Sequence, residues 1–153
     1  MPSELLLLLH VATAMALGGL VGVERETAAK PAGLRTHMLV AGSDALLVGL
    51  GQIALNQYPD ARTDGLVRAD PIRIIVAVIT GVSFLGAGTI IRGDRSVHGL
   101  TTAASLLMTS AMGVAVGLAQ FVVACGTAVL MLVTLRAVPA IERLVRRRRR
   151  TGE

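Results

Sequence analysis

The chain has 153 residues, 53% of them hydrophobic and 16% charged, with a formal net charge of +5 and a mean hydropathy of +0.68. Long apolar runs use up most of this length and exclude a second soluble domain, and the single cysteine, Cys125, excludes an intrachain disulfide or a thiolate metal site. The basic excess sits in one tail, Arg143 and Arg146 to Arg150, which beside a membrane span reads as anchoring on anionic lipid and not as nucleic-acid binding.

The first apolar run covers residues 5–23. Met1-Pro2-Ser3-Glu4 ahead of it carries no Lys or Arg, so a retained span is expected in place of a signal peptide. A second run covers about 38–55. A third covers about 72–91, and from Ile74 to Ile91 it holds no charge. Its centre, Gly81-Val82-Ser83-Phe84-Leu85-Gly86-Ala87-Gly88, has the small residues that let helices in lipid approach closely. Residues 99–135 are also uncharged. One helix of that length would measure ~55 Å against a hydrocarbon core of ~30 Å, so the chain must turn back near Gly117 to Gln120. This predicts a fourth span at about 99–118 and a fifth at about 121–138. Pro139 then marks a break before a basic tail of residues 140–153, with a helix able to resume over 141–144. The expected fold is an all-α membrane bundle of about five transmembrane helices within residues 1–139. Aromatics are scarce and there is no Trp, so the usual interfacial belt is missing.

Basic residues set the orientation. Arg25, Lys30 and Arg35 follow the first span, Arg92 and Arg95 follow the third, and the Arg run follows the fifth. These segments share one side, expected to be cytoplasmic, which puts the N-terminus outside. An internal echo accompanies this. Leu17-Gly18-Gly19 and Leu85-Gly86-Ala87-Gly88 close spans one and three, and Gly33-Leu34-Arg35-Thr36 and Gly99-Leu100-Thr101-Thr102 open spans two and four. It is compatible with two parallel helical-hairpin repeats plus one helix, or with chance recurrence of common residues.

Three places could carry chemistry. At the two basic loops, Thr36, Thr101 or Thr102 can cap helix N-termini, and Arg25, Arg35, Arg92 and Arg95 could receive phosphate or an acidic segment. Glu24, Glu26 and Asp94 could instead pair with those arginines as interfacial ion pairs. Asp44 falls inside span two, where a carboxylate is costly and usually functional; it could bind a cation, carry a proton or pair with an arginine, or else lie close enough to the cytoplasmic interface to stay hydrated or meet Arg35 or Arg92. In the loop after span two, Asp60, Asp64 and Asp70 could attract hydrated Mg²⁺, but Arg62, Arg68 and Arg73 neutralise it. No catalytic, cofactor or metal-ligand set is evident: His10, His37 and His98 have no ligand spacing. The pairs Gly18/Gly22 and Gly113/Gly117 have small-xxx-small spacing, assigned to contacts inside the protein, with an oligomer left open.

Over roughly residues 17–120 the chain resembles the N-terminal membrane domain of the MgtC/SapB family of bacterial proteins. The likeness rests on Gly22-Val23-Glu24-Arg25-Glu26, Ala32-Gly33-Leu34-Arg35-Thr36-His37, Asp70-Pro71-Ile72-Arg73, the Gly81 to Gly88 block, and Gly99-Leu100-Thr101-Thr102-Ala103-Ala104. The resemblance implies a bacterial inner-membrane protein of about five spans. Family members are linked to growth at low Mg²⁺ and survival in host cells. Though often labelled magnesium transporters, the better-known ones look like regulators that bind membrane partners, including ATP synthase. Those members carry a soluble C-terminal domain whose function is not carried over. Ala77 stands where the family often has Gln, Leu107 where it often has Trp, and Asp44 where a small apolar residue is usual. The expected function is therefore non-enzymatic regulation through membrane partners under Mg²⁺ limitation, the alternative being a small transporter of Mg²⁺ or another ion. The candidate functional or packing residues are Glu24, Arg25, Arg35, Thr36, Asp44, Arg73, Phe84, Gly86, Gly88, Arg92, Thr101 and Thr102, with membrane lipid and other membrane proteins as partners.

Overall fold

Each apolar run forms one helix. The computed structural model describes residues 3–57, 71–93 and 96–150. Among these residues the helices are α1 (Ser3–Thr27), α2 (Leu34–Gln57), α3 (Pro71–Gly88), α4 (Leu100–Gly117) and α5 (Phe121–Arg150), with strands β1 (Ile91–Arg92) and β2 (Val97–His98). Four helices are long and apolar enough to cross a membrane: α1, α2, α4 and the Phe121–Pro139 part of α5. The fifth, α3, has 18 residues, ~27 Å of helix.

Side chains are distributed as a lipid solvent requires. The central cluster is built from Ala14, Ala41, Ala45, Met112, Val116, Ala124 and Ala128. Leu8, Leu39, Phe84, Val122 and Leu130 face outward, Val122 with 88% of its surface open. Small residues inside and large apolar ones outside invert the pattern of a water-soluble core. In hydrocarbon, burying leucine brings little gain, and close backbone approach supplies the dispersion energy. Helix α4 is central and touches all four other helices.

The glycine pairs are contacts inside this bundle. A Cβ on Gly18 would lie 2.5 Å from the His37 carbonyl oxygen, and one on Gly22 would lie 2.6 Å from the Leu34 Cα. Gly113 meets the Ala41 backbone and Gly117 meets Val48. The two hairpins, α1–α2 and α3–α4, run in the same sense. Gly18 of the first packs on His37, and Gly86 of the second packs on Ala103. Helices α1 and α2 pack together along most of their length, α3 and α4 less extensively.

Helix ends depart from expectation. Helix α1 closes with paired hydrogen bonds, Ala29 N–H to Glu26 O and Lys30 N–H to Arg25 O, both 3.0 Å, around Ala29 at φ 52°. This is a Schellman turn. The threonines do not cap. The Glu26 carboxylate accepts from Leu34 N–H at 2.9 Å and holds the start of α2, and α4 starts at Gly99, φ 89°, without a side-chain cap. Span three ends at Gly88 and not at Ile91, because Thr89 turns back onto Gly86 O through both its N–H (3.0 Å) and its hydroxyl (2.7 Å). Strands β1 and β2 then pair antiparallel, Ile91 with His98 and Arg92 with Val97. The break expected at Pro139 does not occur, and α5 stays helical to Arg150. Proline removes one rung of the ladder, which spanning helices tolerate.

Candidate functional site

A polar seam runs through the bundle between α1, α2 and α4. At the basic end, Arg25 folds back over Glu24 and donates twice, Nε to Oε2 at 2.5 Å and Nη2 to Oε1 at 2.8 Å. Neighbouring helix residues do not ordinarily face each other, so this fork holds both charges in one compact, neutral unit. Both are buried, Glu24 at 6% and Arg25 at 3% exposure.

One turn into α2, His37 is fully buried. Its Nδ1 lies 2.9 Å from the Gly33 carbonyl, which can only accept, so Nδ1 carries a proton. Its Nε2 lies 3.3 Å from Ser105 Oγ, whose single proton serves either Nε2 or Thr102 O, 2.8 Å away. The chain Gly33–His37–Ser105–Thr102 thus ties the start of α2 to the start of α4.

Deeper in α2 lies Asp44, ten residues past Leu34 and ~15 Å along the helix. That places it near mid-span, away from the interface. Its carboxyl has Ser43 and Ser110 beside it. The Ser43 hydroxyl donates to Val40 O at 3.0 Å, which uses its one proton. Asp44 Oδ2, Ser110 Oγ and Thr109 Oγ1 are buried and complete no hydrogen bond. Elsewhere in the spans the outward hydroxyls of Thr13, Thr80, Ser83 and Thr134 each bond back to the carbonyl four residues earlier. The inward pair on α4 is not consumed in that way. Asp44 and Ser110 are 66 residues apart, the same offset as Thr36 and Thr102, so matched positions of the two hairpins face each other across the α2–α4 contact.

Beside Asp44 the bundle is open. A groove of about 780 Å³ lies between α2 and α3, walled by Leu47, Leu50, Gly51, Ala77, Gly81 and Leu85, with Asp44 on its inner wall and Arg73 also lining it. No atom lies within 4 Å of a Cβ built on Gly81.

The structure gathers some expected residues and scatters others. Glu24, Arg25 and Thr101 line one cavity, Thr102 is joined to the histidine chain, and Asp44 and Arg73 share the groove. Gly86 is packed on Ala103. Arg35, Thr36, Phe84, Gly88 and Arg92 are exposed. Neither Arg35 nor Arg92 pairs with Asp44; Glu24–Arg25 is the ion pair formed among the described residues. Asp60, Asp64 and Asp70, with Arg62 and Arg68, lie outside the described residues, as do Asp94 and Arg95. Four seam residues escaped the sequence reading: His37, Ser105, Thr109 and Ser110. A signal for them existed, since Thr102, Ser105 and Thr109 recur at helical spacing within an uncharged run.

Comparison with known proteins follows the same frame. The model of the MgtC family matches residues 11–144. An uncharacterised Haemophilus influenzae protein is 35% identical over 98% of this chain and 64% of its own length. Protein MgtC of Salmonella typhimurium is 37% identical over 82% of this chain and 49% of its own. The putative magnesium transporter YhiD of Escherichia coli K12 is 39% identical over 65% of this chain and 45% of its own. The chain thus spans about half to two thirds of the length of these relatives. No solved structure matches it. With 134 contiguous positions under the family model, from 11 to 144, the chain belongs to the MgtC family.

Proposed function

We propose that this chain is a non-enzymatic protein of the bacterial inner membrane that receives transmembrane helices of other membrane proteins during adaptation to low Mg²⁺, with its arginine-rich end in the cytoplasm. The carrying observation is the α2–α3 groove. It is apolar, it opens toward lipid, and at Ala77 and Gly81 its small side chains would let a partner backbone come close. Asp44 on its wall can fix the register of a partner that offers a donor. Gly81 is open where Gly86 is already occupied, so Gly81→Leu is the variant that separates docking from folding. It is expected to keep the thermal unfolding midpoint within a few degrees and to reduce partner recovery at least tenfold in pull-downs from cells grown at low Mg²⁺. Undiminished recovery would reject the groove as the docking site.

A second reading, ion transport, is favoured by one observation: a buried Asp44 carboxyl oxygen near mid-span that completes no hydrogen bond, with the Ser110 side chain beside the carboxyl. The relative named as a putative magnesium transporter points the same way. Asp44→Asn is expected to fold at least as well as the parent, since it removes a costly ionisable group at constant shape. In liposomes, Mg²⁺ flux that disappears in this variant would establish transport, and absence of flux in both proteins would leave the docking reading standing.

A further inference from the structure

The basic end of the bundle holds a second cavity, independent of the groove. It measures about 630 Å³, lies between α1, α4 and α5, and is lined by Glu24, Arg25, Lys30, Thr101 and Arg136. The Schellman turn that closes α1 carries Lys30 back toward Arg25, with the Lys30 N–H on the Arg25 carbonyl at 3.0 Å. Arg25 neutralises Glu24. Lys30 and Arg136 form no ion pair among the described residues, so the cavity keeps two uncompensated positive charges.

This cavity does not end at the interface. A narrower apolar cleft of about 200 Å³ follows α4 and α5 into the span past Ala104, Met108, Leu130 and Met131. The two share Thr101, Thr134 and Leu135. One furrow therefore has a cationic mouth and an apolar channel directed into the hydrocarbon.

We propose that this furrow is a binding site for an anionic phospholipid. Its phosphate sits between Lys30 and Arg136, and an acyl chain follows the cleft beside Ala104 and Met108. Basic pockets between helices at this level suit anionic headgroups, and charge-assisted bonds to phosphate are strong. A free phosphate would use the mouth and leave the cleft unused, and the cleft's continuity with the mouth selects the lipid.

The test is native mass spectrometry of the full chain in detergent, titrated separately with phosphatidylglycerol, phosphatidylcholine and inorganic phosphate. Phosphatidylglycerol is expected to be retained at least tenfold better than phosphatidylcholine. That preference should vanish in Lys30→Gln/Arg136→Gln, whose exposed positions leave the thermal midpoint unchanged. Ala104→Phe, which fills the cleft, should weaken phosphatidylglycerol several-fold. Equal retention of the two lipids would overturn the proposal. So would a preference that survives the double variant and is lost only when Arg146 to Arg150 are replaced, since that locates it in the tail. Competition by inorganic phosphate with no effect of Ala104→Phe would make the site a free-anion site and also overturn it.

Discussion

Gly113→Leu is expected to prevent accumulation of folded protein, with a loss of ~3 kcal/mol or more where any folded fraction survives. A Cβ at Gly113 would overlap the Ala41 carbonyl oxygen and lie 2.9 Å from the Ala41 Cα. Both are backbone atoms in the middle of helices, so no rotamer change relieves the clash. Helix α4 also touches every other helix, and displacing it from α2 disturbs the whole bundle. Steady-state membrane level and thermal unfolding in mild detergent measure the effect. Near-normal values for Gly113→Leu would mean that α2 and α4 are not in contact at this point.

Glu24→Gln is the second large effect, ~3 kcal/mol of destabilisation. The glutamate satisfies the Arg25 fork with both oxygens. Glutamine keeps the shape but supplies one acceptor and no charge, which leaves a guanidinium at 3% exposure uncompensated. Glu24→Asp, retaining the charge at shorter reach, should recover part of the loss. The double variant Glu24→Gln/Arg25→Gln should be more stable than Glu24→Gln alone, because it removes the orphaned charge. Thermal midpoints of the parent, Glu24→Gln, Arg25→Gln and the double variant form a cycle that measures the coupling. Equal midpoints would show that the pair contributes nothing to the fold.

The helices were legible because lipid imposes a simple demand: every backbone group must be satisfied within its own segment over ~20 apolar residues. The uncharged stretch from Gly99 to Leu135 had to turn back by length alone, and it does so between α4 and α5. The assignment of Gly18/Gly22 and Gly113/Gly117 to internal contacts followed from the same packing physics. What the sequence hid depended on tertiary placement. Glu26 reaches eight residues forward to hold α2, so Thr36 is left without that task. Two-residue strands such as Ile91–Arg92 and Val97–His98 are too short to show a period of two. His37 looked isolated because its partner, Ser105, lies 68 residues away. The 66-residue offset makes Asp44 and Ser110 equivalent positions, and only the packing of α2 on α4 brings them together. A groove is a place where side chains fail to meet, and no local pattern announces it.

Site-specific photo-crosslinking in living cells reaches the docking claim most directly. A photoreactive residue replaces Ala77 in the groove, and in a second protein it replaces Val122, which faces outward on α5 with 88% exposure. At low Mg²⁺, the groove position is predicted to give a discrete adduct with another membrane protein, and the Val122 position none. Identical adduct patterns from the two positions, or lipid adducts alone from the groove, would contradict it.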